Sequence, residues 1–154
     1  MFEKILVCLD GSAVAEQMLP YLTEEAVSFK SDITLFRVAN LPGITIPISI
    51  PGEPGIPMST AGAIRRATDE ENEAADYLAR IAEPMREKGL NVESVVLPGI
   101  AGETITSYAA ENGFTLIAIA SHGHGGLRRL AFGSTADFVL RHSSLPILMV
   151  RVGA

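Results

Sequence analysis

The residues best suited to chemistry lie in a glycine-rich segment, residues 121–135, between an apolar run and a helical pattern. Three glycines fall within four positions, at Gly123, Gly125 and Gly126, and glycine lets the backbone approach a ligand closely. Residues 133–135, Gly-Ser-Thr, then offer backbone amides and two hydroxyls where a helix would begin, and the helix dipole favours an anion there. The segment predicts a phosphate-binding loop, with an ordinary glycine-rich turn as the alternative.

Two established phosphate-binding patterns do not fit this segment. A Walker loop needs a lysine directly after its last glycine, whereas Ser134 follows Gly133. The dinucleotide-binding pattern would need a third glycine where Arg128 stands. Arg128 and Arg129 add positive charge, and two interpretations stay open for them, phosphate contact and solvent exposure. The motif alone therefore predicts an anion site without naming the ligand.

Few other residues suggest chemistry. Asp10 follows the first apolar run and is interpreted either as a ligand-binding carboxylate or as a helix cap, while Ser12 fits an N-cap. Cys8, within that run, is predicted to be an inert core thiol. His122 and His124 lack a third neighbouring ligand, so no metal site is predicted. Because no nucleophile and base occur at motif spacing, we assign no catalytic residues.

Strands that alternate with helices must position these residues. Apolar runs predict five strands, at residues 5–9, 33–38, 92–97, 116–120 and 147–152. Helical patterns cover residues 15–29, 61–88, 102–112 and 134–142, with a kink expected at Pro20 and a stop at Gly89. The first helix is predicted to bury one face made of Ala15, Met18, Leu19, Leu22, Ala26 and Phe29. The acidic run at residues 69–76 is predicted to be a solvated helix face.

Continuous apolar strands are typical of a parallel sheet that helices cover on both faces. The sequence therefore predicts an α/β fold, a doubly wound five-stranded parallel sheet in one domain over residues 1–154. Such sheets bind ligands beyond the carboxyl ends of their strands, where the strand order switches. We expect the site after strands one and four.

Residues 41–58 differ from the rest of the chain. They hold five of the nine prolines together with several isoleucines. Proline withholds backbone donors, so the segment is predicted to be neither a helix nor an inner strand. Two interpretations are open: a mobile crossover loop, and a lid over a ligand or a patch on a partner subunit.

Composition excludes several classes of protein. Twelve Lys and Arg against eighteen Asp and Glu give a net charge of −6, and Trp is absent, which argues against a nucleic-acid surface. A single cysteine excludes a disulfide framework. No apolar run reaches the roughly 18 residues of a membrane helix, and the first residues lack the pattern of a signal peptide. A cytoplasmic location without membrane attachment is expected.

Motifs at both ends of the chain resemble one family. Ser121-His122-Gly123, nine further residues, Gly133-Ser134 and the run at 146–150 are similar to the closing signature of the universal stress proteins. Residues 4–7 and Asp10-Gly11-Ser12 are similar to the family's opening. The resemblance spans residues 3–152 and implies a fold like the adenine nucleotide alpha hydrolases.

The nucleotide-binding branch of that family holds ATP, with or without Mg²⁺, on a Gly-x2-Gly-x9-Gly-Ser/Thr pattern. Ala120 stands where the first glycine of this pattern is expected, and its methyl group is expected to weaken binding or change the preferred nucleotide. The resemblance implies that the triphosphate contacts Gly123, Gly133, Ser134 and Thr135. It implies that Asp10 contacts the ribose or the phosphates, directly or through a metal ion. The adenine would lie beside Val38, and the backbone of Ile119 and Ala120 would line the site.

Two main functions follow, from different classes. The first is an ATP-binding stress-response protein regulated by occupancy, with slow ATP hydrolysis at most. The second is a dimeric scaffold that binds partner proteins and leaves the glycine segment purely structural. An enzyme on a related fold is a third, less favoured alternative. The apolar strand at 147–152 would be an exposed edge, and the resemblance likewise implies a homodimer through it.

Overall fold

The computed structural model describes residues 1–39, 60–122 and 133–152. The predictions for the proline-rich segment 41–58 and for Gly123, Arg128 and Arg129 lie outside these residues. The helices and strands of the described ranges are β1 (Lys4–Cys8), α1 (Ala13–Glu16), α2 (Leu19–Phe29), β2 (Asp32–Ala39), α3 (Thr60–Glu87), β3 (Val92–Pro98), α4 (Ala101–Glu111), β4 (Leu116–His122), α5 (Ser134–His142) and β5 (Ile147–Val152).

The five strands form one open sheet in the order β3-β2-β1-β4-β5, and every pairing is parallel. β1 lies at the centre, where Ile5 is opposite Ile33 of β2 on one side and Leu116 of β4 on the other. The predicted five-stranded parallel sheet is confirmed.

Alternate residues of β1 enter two separate cores. Ile5 and Val7 pack in the core that α1, α2 and α3 cover. Leu6 and Cys8 pack in the core on the opposite face, beneath α4 and α5. Because both faces of β1 are covered, its residues are apolar without interruption, as expected for a parallel sheet. The prediction of helices on both faces is confirmed.

A cleft forms where the connections after two neighbouring strands lie on opposite faces of the sheet. The chain leaves β1 towards α1 on one face of the sheet, and it enters α5, which follows β4, on the other face. Since β1 and β4 are parallel neighbours, their carboxyl ends lie at the same edge of the sheet. The chain segments that follow them go to opposite faces there. This is the switch in strand order at which the sequence analysis expects a ligand.

The prediction of the first helix is wrong in two respects. Instead of one kinked helix, the chain forms two, because α1 ends at Glu16 and α2 begins at Leu19 with Pro20 in its first turn. Proline lacks the amide that an inner helical position needs, but the first turn tolerates it. In addition, Phe29 was predicted to lie on the buried face, but its side chain is 55% exposed and its ring packs edge-on against the Phe2 ring.

The remaining boundaries agree closely with the sequence. α5 and β5 have the predicted limits. Gly89 ends α3 with φ +85°, and the Leu90 amide donates to the Met85 carbonyl at 3.3 Å, which is a glycine-terminated helix end. β4 runs two residues beyond its prediction, to His122. None of the helices in the described ranges has the length and hydropathy to span a membrane.

Candidate functional site

A cleft of about 430 Å³ opens at the carboxyl ends of β1, β2 and β4. Seven of the eight predicted site residues line it, and the eighth, Gly123, lies outside the described residues. The structure thus brings together residues from four separate parts of the chain. These seven are Asp10, Val38, Ile119, Ala120, Gly133, Ser134 and Thr135.

The turn between β1 and α1 fixes Asp10 at the mouth of the cleft. One carboxylate oxygen of Asp10 accepts hydrogen bonds from the Ser12 amide at 2.9 Å and the Ser12 hydroxyl at 2.6 Å. The Ser12 hydroxyl oxygen in turn accepts from the Ala15 amide at 3.1 Å, so the predicted N-cap is confirmed. Asp10 therefore stabilises the turn and lines the cleft at the same time, while the cap of α1 is Ser12 and not Asp10.

The N-terminus of α5 closes the opposite side of the cleft. Gly133 is the N-cap, with φ +42° and ψ 155°, a conformation that non-glycine residues rarely adopt. Having no side chain, it cannot satisfy the first amides of α5, in contrast to Ser12 at α1. Ser134 and Thr135 occupy the first turn and also line the cleft. Their amides and hydroxyls are suited to an anion.

The floor of the cleft comes from β4. Ile119 and Ala120 are 5% and 9% exposed, and they face opposite sides of the sheet. The Ala120 methyl group belongs to the core that α1 covers, which also contains Ala15. Ala120, which stands where the nucleotide-binding pattern has glycine, therefore contributes to core packing as well as to the cleft.

Two charged residues of the cleft were missed from the sequence. Arg37, from β2, is half-buried, and the Glu70 side chain reaches the same cleft from α3. Glu70 corrects the prediction that the acidic run of α3 is wholly solvated. A cation near the end of an otherwise apolar strand was the available signal for Arg37. Glu70 had none, because its position depends on how α3 crosses the sheet.

Arg37 is held in place by two neighbours. Its guanidinium carbon lies 5.2 Å from the centre of the Tyr77 ring, within the range of a cation–π contact. On its other side it lies 2.9 Å from where a Cβ atom would stand at Gly11, whose φ is +86°. A side chain at position 11 would be strained and would also displace Arg37.

Tyr77 is buried among acidic groups. Its hydroxyl lies near the Glu16 carboxylate but has no hydrogen-bond partner of acceptable geometry in the described part of the chain. Burial raises the pKa of Tyr77 well above its ordinary range, and the nearby Glu16 and Asp10 carboxylates raise it further, while Arg37 opposes them. Tyr77 therefore stays neutral and presents its ring to Arg37.

Cys8 lines the bottom of the cleft beneath Asp10. Its side chain is buried, and burial raises the pKa of the thiol from its ordinary 9.0 to about 12. Only a thiolate is a strong nucleophile or metal ligand. The predicted inert core thiol agrees with this environment. Over the described ranges, no three His, Cys, Asp or Glu side chains are arranged to hold a metal ion.

The whole chain matches one family. The model of the universal stress protein family matches residues 1–151. This chain therefore belongs to the universal stress protein family, as the resemblance of its end motifs predicts.

Relatives and solved structures agree with that assignment. Universal stress protein YxiE of Bacillus subtilis is 28% identical over 151 residues, which cover 98% of this chain and 100% of YxiE. The structure of protein MJ0577 of Methanocaldococcus jannaschii has a TM-score of 0.78 at 23% identity, covering 100% of this chain and 99% of that one. A universal stress protein family member from Arabidopsis thaliana, solved with AMP bound, has a TM-score of 0.62 at 13% identity, covering 99% and 93%. These structures share the fold.

The buried thiol yields a test of the cleft floor. Since a pKa near 12 leaves only about one thiol in ten thousand ionised at pH 8, iodoacetamide is expected to alkylate Cys8 far more slowly in the folded protein than in urea. Mass spectrometry against time measures both rates. Because the unfolded thiol ionises first, this group's contribution to stability is lost as the pH rises from 9.0 to about 12. Equal rates in the folded and unfolded protein would contradict the buried position.

Proposed function

We propose that this protein binds an adenine nucleotide, ATP with Mg²⁺ first among the candidates, and acts as a stress-response module whose shape or contacts depend on occupancy. One observation carries the proposal: the uncapped first turn of α5, at Gly133, lines the same cleft as Asp10 and Val38. This arrangement offers an anion site and an apolar wall at opposite sides of one crevice. The AMP-bound relative of the same fold supports the choice of ligand class.

The phosphates would lie against the start of α5. There Ser134 and Thr135, which line the cleft, offer two amides and two hydroxyls, and the helix dipole adds positive potential. Gly133 keeps this end free of a side chain. The base would lie on the opposite wall beside Val38, which packs with the apolar residues Phe36 and Ile105.

Asp10 would contact the ribose or a Mg²⁺ ion. Mg²⁺ commonly binds through one or two carboxylates together with the phosphates of the nucleotide, so the single Asp10 carboxylate fits such an ion. The ion would neutralise phosphate charge beside two carboxylates of the cleft, Asp10 and Glu70. We assign no catalytic residue, and slow hydrolysis is the most that this set of side chains would support.

A titration with ATP and Mg²⁺ tests the proposal. Nucleotide-stripped protein is expected to bind ATP with micromolar affinity, measured by calorimetry, and the Gly133→Val variant is expected to lose binding. Valine at φ +42° strains the backbone that presents the first amides of α5. Gly113→Val is the matched control, because Gly113 also has a positive φ, 68°, and like Gly133 has no atom within 4 Å of an added Cβ.

The control separates binding from folding. Gly113→Val at the end of α4 is expected to lose stability by a similar amount and to keep its ATP affinity. Thermal unfolding of both variants monitors the fold. If the wild-type protein binds no adenine nucleotide, the proposal is wrong, and a scaffold that acts through partner proteins becomes the favoured function.

The Ala120 methyl group provides a second test. Ala120→Gly is expected to bind ATP about tenfold more tightly, because overpacking by one methyl group typically costs about 1–3 kcal/mol. The same variant is expected to be less stable, since that methyl group fills part of the core beneath α1. Calorimetry and thermal unfolding measure the two effects. Unchanged affinity would show that the methyl group leaves the ligand undisturbed.

We further propose a homodimer through β5. Four consecutive apolar residues of this strand, 147–150, are only half-buried, and its one strand neighbour in the described sheet is β4. A second copy pairing along β5 would cover them and complete the unused backbone bonds of an edge strand.

Light scattering at micromolar concentration is expected to give twice the mass of the chain. Val150→Lys is expected to shift the protein towards monomer, because it places a charge on this edge. Leu140→Lys, at an exposed leucine on α5, is the matched control and is expected to leave the mass unchanged. A monomeric wild-type protein would refute the dimer.

A further inference from the structure

Arg37 brings a positive charge to the β2 side of the cleft. It lies near the carboxyl end of β2, is half-buried and lines the same cavity as Asp10. The proposed phosphate site at α5 follows β4, and β1 separates β4 from β2. Two strand spacings, about 10 Å in all, therefore separate the strands that carry the two sites. A single phosphate at α5 would therefore lie against a different strand from the one that carries Arg37.

Within the described part of the chain, the guanidinium of Arg37 has an aromatic neighbour but no polar partner. Tyr77 supports it from one side, and on the other it occupies the space that a side chain at Gly11 would need. Among the described residues it forms neither a hydrogen bond nor an ion pair, although arginine carries five N–H donors in a planar fork. Such a fork matches the geometry of a phosphate. Because it is already fixed, little rotamer entropy would be lost on binding.

The position of Arg37 in the sheet indicates which part of a nucleotide it would meet. In the dinucleotide-binding Rossmann fold, an acidic side chain about 20 residues beyond the glycine-rich turn accepts a hydrogen bond from the ribose 2′-hydroxyl, and an arginine nearby accommodates a 2′-phosphate. This chain shares the strand order of that fold but not its glycine pattern. Here β2 is likewise the strand beside β1, and Asp10 at the end of β1 is the residue proposed to lie at the ribose. Arg37 therefore lines the same cleft as the residue proposed to lie at the ribose.

We propose that Arg37 is a specificity-determining residue that binds a second phosphate, carried on the ribose. The ligand class is an adenosine 5′-phosphate that is also phosphorylated on its 2′ or 3′ oxygen. This inference rests on the proposed nucleotide-binding function. Three carboxylates lie on this side of the molecule, those of Asp10, Glu16 and Glu70. Arg37 is the described cation of the cleft that offsets them, so its loss would disfavour the added phosphate most.

Calorimetric titrations of the nucleotide-stripped full chain test this proposal. The three probes are 5′-AMP, adenosine 3′,5′-bisphosphate and adenosine 2′,5′-bisphosphate. At least one bisphosphate is expected to bind about tenfold more tightly than 5′-AMP, as one charge-assisted bidentate contact would provide. The bisphosphate that binds more tightly identifies which ribose oxygen faces Arg37.

Two variants assign this difference to Arg37. Arg37→Gln is expected to lose the preference, so that it binds both bisphosphates no better than it binds 5′-AMP. Arg80→Gln, which removes an equal charge from the exposed face of α3, is expected to keep the wild-type preference. Thermal unfolding of both variants shows whether each has kept the fold.

The outcomes separate this proposal from the function on which it rests. If the wild-type protein binds 5′-AMP but binds neither bisphosphate more tightly, the assignment of Arg37 is wrong and nucleotide binding stands. If Arg37→Gln lowers the affinity for all three ligands equally, Arg37 supports the cleft without recognising the ribose phosphate, and the proposal is overturned. If none of the ligands binds and ATP also fails to bind, the proposed function itself is wrong.

Discussion

The central position of β1 is the constraint on which the rest of the structure depends. β1 pairs in parallel with both β2 and β4, so each side of it is occupied by a strand and each face by helices. Parallel neighbours need crossover connections, and those on the two sides of β1 lie on opposite faces of the sheet. The carboxyl ends of β1 and β4 are therefore the place where no helix closes the sheet edge. The cleft follows from this topology before any side chain is considered.

Helix capping then gives the two sides of the cleft different roles. Every helix leaves unsatisfied amides at its first turn. At α1 the chain satisfies one of them itself, through Ser12, and Asp10 stabilises the turn. At α5 the N-cap is Gly133, which provides no such group. One helix end is thus stabilised from within the protein, and the other is left suited to an anion supplied from outside. This asymmetry locates the proposed phosphate position more sharply than the pattern of glycines does.

The sequence predicts features that depend on local chemistry and misses those that depend on packing between distant segments. Apolar runs predicted all five strands, and α5 was placed correctly because a glycine and two hydroxyl residues precede its apolar face. Pro20 was recognised, but a kink and a break look alike in sequence. The sequence predicts that Glu70 is solvated, because an acidic run does not show which of its side chains reaches the edge of the sheet. Arg37 was overlooked for the same reason, since its support, Tyr77, lies 40 residues away in the sequence.

Ala120 shows how one side chain can serve core packing and the site at once. The glycine expected at this position in the nucleotide-binding pattern would bring the backbone close to a ligand but would leave a gap beneath α1. Alanine fills that gap, since its methyl group packs in the same core as Ala15 and Val7. Because the Ala120 side chain points into this core, any effect on a ligand acts through the position of the β4 backbone. Alanine at position 120 is therefore compatible with a ligand-binding cleft. It keeps the β4 backbone slightly farther from a ligand than glycine would, and it packs the core better.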